Sequence, residues 1–211
     1  MRIGVDFDNT IAGYDAVFTR LAAEGGLVLD APVCAKRALR DRLRRHPGGE
    51  RAWQGLQAKA YGERMIEAEL MPGVARFLGR CRERGVSLFI VSHKTRYAAR
   101  GENRLDLREA AHAWMAARGF FDPSGFDIPS RHVFFEDTRH AKLERIADLG
   151  VSRFVDDLEE VFEEPAFPAG VEAILYAPDE PAGRAPRTEP VRYVRFGSWD
   201  QITEHVLGLA A

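Results

Sequence analysis

Six short apolar runs, rich in β-branched and aromatic residues, alternate with helical patterns along this chain, and that alternation leaves few architectures open. The runs cover residues 2–7, 86–91, 132–136, 151–155, 171–177 and 192–196. Strands separated by crossovers of a dozen or more residues pair in parallel, whereas antiparallel neighbours need only a tight turn. Between two of the runs, residues 73–84 place Val74, Phe77, Leu78 and Cys81 at i, i+3, i+4 and i+7, a one-faced helical stripe. Pro72 stands ahead of that stripe and Gly85 behind it, as helix start and stop chemistry requires. Residues 105–118 and 140–149 read the same way, the second closed by Gly150. The expected class is α/β, with a doubly wound parallel sheet.

One segment breaks the alternation. Residues 13–71 carry no convincing strand, only helical stripes: Tyr14, Val17, Phe18, Leu21 and Ala22, then Ala35, Ala38, Leu39 and Leu43, then a third helix over 51–68. Gly25-Gly26, Ala31-Pro32 and Pro47-Gly48-Gly49 separate them. This is far more chain than a crossover needs. The expected organisation is a sheet-bearing core of residues 1–12 and 72–211, with a small helical cap inserted at 13–71. Residues 178–190, rich in Pro, Ala, Gly and charge, read as a surface loop.

Composition narrows the class of partner. A chain of 211 residues with 45% apolar and 29% charged residues is long enough for one sizeable domain carrying an insertion. Its formal net charge of −2 provides no electrostatic footprint for nucleic acid or a membrane surface. No apolar run approaches the roughly 18 residues that span a bilayer, and no signal-like core precedes the first strand. Cys34 and Cys81 sit in no metal or redox spacing and read as small core residues. A reduced, cytoplasmic setting is expected.

Against this background the opening Val5-Asp6-Phe7-Asp8-Asn9-Thr10 demands a reason. Residues two apart in an extended chain share a face, so Asp6 and Asp8 hold like charges a few ångströms apart and repel unless a cation or proton intervenes. A second acidic pair, Asp156-Asp157, ends the run Arg153-Phe154-Val155. The segments 85–92 and 150–157 both begin Gly-Val-Ser, and aligned on that glycine Ser92 and Asp157 are equivalent. Several strands therefore deliver polar groups at their carboxyl ends, where open α/β sheets bind ligands. Carboxylates from two strand ends make a hard-oxygen site suited to Mg²⁺. The hydroxyls of Thr10 and Ser92, with the Lys142 ammonium, can surround a phosphoryl group. An ionised aspartate can attack phosphorus, and a carboxylate two residues on can protonate the leaving oxygen and later activate water.

In order and spacing these motifs resemble the haloacid dehalogenase superfamily, and within it the magnesium-dependent phosphatases. The first motif is Asp6-Phe7-Asp8-Asn9-Thr10, the second Ser92 after Ser87-Leu88-Phe89-Ile90-Val91, the third Lys142 on a helix, the fourth Asp156-Asp157. The resemblance covers residues 1–176. It implies a Rossmann-like core with a cap after the first motif, and Mg²⁺ held by Asp6, Asp8, Asp156 and Asp157. It also implies Asp6 as nucleophile and Asp8 as general acid and base, the latter with its main-chain carbonyl on the metal. Thr10 and Ser92 would bind the phosphoryl group, and Lys142 would neutralise it and orient Asp6. Of the acidic pair, one carboxylate would meet the metal directly, and the glycine alignment favours Asp157. Family members without an acid at the position of Asp8, such as the dehalogenases, do not run ordinary phosphatase chemistry.

The expected activity is Mg²⁺-dependent hydrolysis of a small phosphorylated metabolite, a sugar phosphate or nucleoside monophosphate, through an aspartyl-phosphate. A phosphomutase on the same core and a non-catalytic phosphate-binding module are the competing readings. His93 and Lys94, next to Ser92, are candidates for substrate contact, whereas Arg96, Tyr97 and Arg100 read as surface and Asn9 as a turn residue. The six basic residues within 36–45 read first as a solvated helix face. Trp53, Trp114 and Trp199 read as core aromatics, with stacking on a substrate ring the alternative for Trp53.

Overall fold

A computed structural model describes residues 1–27, 35–98, 105–178 and 193–208. Among them the chain divides into two compact units, one made of residues 1–11, 70–93 and 119–211, the other of 12–69 and 94–118. Cys34 and Arg100, and all of the expected loop but Pro178, lie outside the described residues.

The first unit carries a six-stranded sheet: β1 (Arg2–Val5), β4 (Ser87–His93), β5 (Val133–Glu136), β6 (Arg153–Asp156), β7 (Glu172–Tyr176) and β8 (Tyr193–Phe196). Their order is β5-β4-β1-β6-β7-β8 and every neighbouring pair is parallel. Each expected run supplies one strand. The chain winds from β1 outward through β4 and β5, then returns past β1 to β6, β7 and β8, so the direction of winding reverses at β1. Ligands of such sheets bind at that reversal, outside the carboxyl ends of the strands. Helices α4 (Val74–Glu83), α6 (Arg139–Asp148), α7 (Glu159–Glu163) and α8 (Trp199–Leu207) accompany the sheet. The apolar stripes of α6 and α7, Leu143 and Ile146 with Val161 and Phe162, pack against Phe89, Val91, Phe154 and Leu175 of the strands. Gly4, in the middle of β1, permits this: a Cβ there would stand 2.5 Å from the Phe154 ring. Cys81 is buried on α4, and that burial pushes its thiol up to about 12, too high for reactivity at neutral pH.

The second unit is helical. It holds α1 (Asp15–Glu24), α2 (Lys36–Arg44), α3 (Gly49–Tyr61), a single 3-10 turn at Met65–Glu67, and α5 (Leu107–Ala117). Two residue pairs, β2 (Ala12–Gly13) and β3 (Glu69–Leu70), form a separate two-stranded sheet. Helix α3 stops earlier than the expected residue 68 because Gly62 leaves helical geometry, with φ −108° and ψ −101°. The stripe of α1 is buried as expected. On α2, Leu39 and Leu43 are buried but Ala38 is exposed. Arg37 and Arg44 of α2 are exposed, Arg44 pairing with Glu50 at 2.6 Å and Arg40 with Asp41 at 3.0 Å, whereas Lys36 turns its ammonium over the Tyr61 ring, 5.4 Å from its centre. Trp53 is buried and stacks on Phe18, ring centroids 4.8 Å apart, so it belongs to this unit's core.

Residues 94–118, read from the sequence as part of the sheet-bearing core, group here with the helices. Trp114 of α5 is fully buried and its indole donates to the Ala68 carbonyl at 2.8 Å. An indole N–H with that burial needs such an acceptor, and the acceptor lies in the inserted segment. No periodicity within α5 could reveal it.

Candidate active site

The three central strands bring the motifs together. Val5 of β1 is level with Ile90 on one side and Val155 on the other. Asp6, one residue beyond Val5, stays in register because its N–H donates to the Val155 carbonyl at 2.8 Å. Asp156 is one residue beyond Val155, and Ser92 two beyond Ile90. After Asp6 the chain turns sharply: the Ile11 N–H donates to the Phe7 carbonyl at 3.0 Å, and Asn9 takes the left-handed region at φ 61°. Asparagine tolerates that region better than most side chains, which accounts for its place inside the acidic motif.

Lys142 is the centre of the site. It stands on the first turns of α6, whose start is capped by the Thr138 hydroxyl accepting from the Ala141 N–H at 3.0 Å. Its Nζ donates to Asp6 Oδ1 and to Asp156 Oδ2, each at 2.6 Å, and all three side chains are at most 7% exposed. The other oxygen of Asp156 accepts from the Leu158 N–H at 2.9 Å. Asp157, half-buried, accepts at Oδ1 from the Thr10 hydroxyl at 3.2 Å. Thr10 is fully buried, and its carbonyl receives the Trp199 indole N–H at 3.0 Å. Trp199 thus braces the acidic turn from 189 residues away, a role the sequence does not announce.

The electrostatics are governed by burial and by the Lys142 ammonium. Burial is the largest influence on Asp6 and raises its carboxyl to about 7, with Lys142 pulling it back down and Asp156 and Asp8 pushing it up again. Burial works to lower Lys142, but attraction from Asp156 and Asp6 carries it above the ordinary lysine value. One ammonium faces Asp6 and Asp156, with Asp157 beside them. Asp6, Asp156 and Asp157 each present an oxygen within 4.8 Å of the others. An all-carboxylate set suits a hard divalent cation.

The remaining candidates divide. Ser92 is buried near the end of β4 and Asp8 is half-buried within the turn, both in the sheet-bearing unit. His93 is exposed, and its Nε2–H donates to the Asp137 carbonyl at 3.1 Å. Lys94 is buried in the helical unit, with Nζ 4.7 Å from the centre of the Tyr61 ring. Among the described residues no helix is long and apolar enough to cross a membrane.

No protein-family model and no curated protein matches the chain. Solved structures do. A hydrolase of the haloacid dehalogenase family from Deinococcus radiodurans, solved with bound phosphate and sodium, is similar at 14% identity and TM-score 0.55, covering 98% of this chain and 95% of that one. A subfamily IA hydrolase of the same superfamily from Geobacter sulfurreducens matches at 17% identity and TM-score 0.52, over 97% and 95% of the two chains. Protein tyrosine kinase A of Mycobacterium tuberculosis matches at 14% identity and TM-score 0.59, over 99% and 98%. At these identities the likeness speaks for architecture, and with the winding reversal at β1 it shows that the chain has the haloacid dehalogenase superfamily fold.

Proposed function

We propose that this protein is a Mg²⁺-dependent phosphomonoesterase acting on a small phosphorylated metabolite through a covalent aspartyl-phosphate. The observation that carries the reading is Lys142, buried and shared at 2.6 Å between Asp6 and Asp156, beside the carboxylate of Asp157. Asp6, Asp157 and the Asp8 carbonyl would hold the cation, whose charge would draw in the phosphate and spread the negative charge of the transferring group. Asp156 has both oxygens committed to Lys142 and the Leu158 N–H, so its part is to orient the lysine.

In the first half-reaction an Asp6 oxygen attacks phosphorus, and the bond from phosphorus to the ester oxygen breaks. Asp8 delivers its proton to that leaving oxygen, which departs as an alcohol. In the second, Asp8 takes a proton from water as the water oxygen attacks phosphorus. The bond to Asp6 then breaks, releasing inorganic phosphate and restoring both carboxyl groups. Lys142 keeps the Asp6 oxygen positioned and offsets charge on the equatorial oxygens, with the Ser92 hydroxyl donating to one of them. The acid at Asp8 favours phosphatase chemistry over dehalogenation, which needs no proton donor for its leaving group.

The test is turnover of phenyl phosphate. Activity is expected with Mg²⁺, loss of it after exhaustive chelation, and recovery on adding Mg²⁺ back. Asp6→Asn should fold yet lose at least a thousandfold in kcat, about 4 kcal/mol of barrier. Full activity after chelation, or a tenth of the wild-type rate in Asp6→Asn, would overturn the reading.

A further inference from the structure

The Trp199 indole bonds to the acidic turn at one atom, and that atom belongs to a peptide held from both sides. Its Nε1–H donates to the Thr10 carbonyl at 3.0 Å, while the N–H of the same peptide, on Ile11, donates to the Phe7 carbonyl at 3.0 Å. The next carbonyl, that of Ile11, accepts from the Met71 N–H at 2.8 Å. A peptide is planar, so fixing its oxygen and its hydrogen sets its plane. The direction in which the Thr10 side chain leaves the backbone is set with it. That side chain is fully buried, and its hydroxyl donates to Asp157 Oδ1 at 3.2 Å. The line from Trp199 through Thr10 therefore ends on a carboxylate of the cluster formed by Asp6, Asp156 and Asp157. All of these residues belong to the sheet-bearing unit.

Trp199 is itself a fixed point. It is fully buried at the first position of α8, its ring 4.9 Å from that of Phe77 and 5.6 Å from that of Tyr176, centre to centre. Gly73, at φ 89°, makes room for it, since a Cβ there would stand 2.8 Å from Trp199 Cβ. The Thr203 hydroxyl donates to the Trp199 carbonyl at 2.6 Å, and the Ser198 hydroxyl caps the helix by accepting from the Gln201 N–H at 3.3 Å. An indole buried this deeply needs an acceptor, but any carbonyl would meet that need. The acceptor here is the carbonyl of the residue whose hydroxyl rests on Asp157.

A threonine hydroxyl has one proton to give. Thr10 gives it to Asp157 and has none left for a phosphoryl oxygen. A donor resting on a metal-binding carboxylate orients it, and losing such a partner typically costs roughly 10–100-fold in metal affinity. We infer that Trp199 is a positioning residue for the cation: through the Thr10 peptide and hydroxyl it holds Asp157 beside Asp6, so that affinity for Mg²⁺ is set in part by an indole on α8. The inference rests on the metal-binding part of the proposed function, and neither on its substrate nor on its covalent intermediate.

The test uses Mg²⁺ alone, with no phosphate ester present. Binding is read by titration calorimetry and by the rise in urea midpoint that the bound ion causes. Trp199→Phe keeps an aromatic ring and removes the N–H, and Thr10→Val keeps the branched shape and removes the hydroxyl. Each should raise the Kd for Mg²⁺ about tenfold, and the double variant should bind no more weakly than either, because both changes cut the same line. Phe77→Leu loosens the packing around the indole but leaves its N–H in place, and it should bind Mg²⁺ as wild type does. If Trp199→Phe does not fold, a benzothiophene side chain introduced at position 199 keeps the bicyclic shape without the N–H and takes its place. Wild-type affinity in the folded variant at position 199, or an equal loss in Phe77→Leu, overturns the inference, as does a wild-type protein that binds no Mg²⁺. Wild type that binds Mg²⁺ but does not turn over phenyl phosphate overturns the phosphatase reading and leaves this inference standing.

Discussion

Lys142 is held by charge on two sides and by carbon on a third. Its Nζ lies 5.4 Å from the centre of the Phe154 ring as well as touching Asp6 and Asp156. Replacing it removes a cation bonded to two buried carboxylates, and a buried charge stripped of its partner is expensive. Lys142→Met is expected to lower stability by about 3–5 kcal/mol at neutral pH without divalent cation. The sign with pH follows from the carboxylates. Burial already holds the Asp6 carboxyl above the ordinary aspartate value, and without the ammonium it rises further, so the deficit is full at neutral pH and shrinks on acidification as Asp6 protonates. Urea midpoints at two pH values measure this, and a variant as stable as wild type at neutral pH would show that the triad is not held by charge.

Among the elements, β1 is the most constrained, since it lies between two strands and carries the acidic turn at its end. Gly4 has no side chain because Phe154, fully buried on the neighbouring strand, occupies the space above it. Gly4→Ala should therefore destabilise by about 1–3 kcal/mol through overpacking, read as a lower urea midpoint, and Phe154→Leu in the same chain should return part of the loss. An unchanged midpoint would mean that the ring can swing aside. The six strands were legible in the sequence because parallel strands buried on both faces read as continuous apolar runs. The four motifs were legible because each ends such a run or, for Lys142, stands on the helix before one. What could not be read was long-range: Trp199 on the Thr10 carbonyl, and the Trp114 indole on Ala68.

For the molecule as a whole, the chain crosses between its two units four times, and the helical unit is complete only when residues 94–118 have joined 12–69. Trp114 is fully buried there, and Arg118 donates to the Ile66 carbonyl at 3.1 Å. Losing a buried tryptophan costs about 3–5 kcal/mol, a large part of the roughly 5–15 kcal/mol that holds a domain together. A fragment of residues 12–69 alone should accordingly show weak helicity and no cooperative melt by circular dichroism. A peptide covering 94–118 should restore both. A sharp melt in the fragment by itself would make α5 dispensable.

The central position of β1 has a consequence in time. Ile3 pairs with Leu88 on one side and with Arg153 on the other, partners 85 and 150 residues away. At about 5–20 residues per second, a ribosome takes roughly 8–30 s to deliver the second partner after the first strand is made. For roughly the first 4–17 s of that interval, until the strand of Leu88 is made, the run Ile3-Gly4-Val5-Asp6-Phe7 has no ladder to join, and its apolar residues invite pairing with another chain. Asp6 and Asp8 then act as charged gatekeepers beside an apolar run of the nascent protein, so the residues proposed for chemistry also protect the strand that carries them before there is any site to serve.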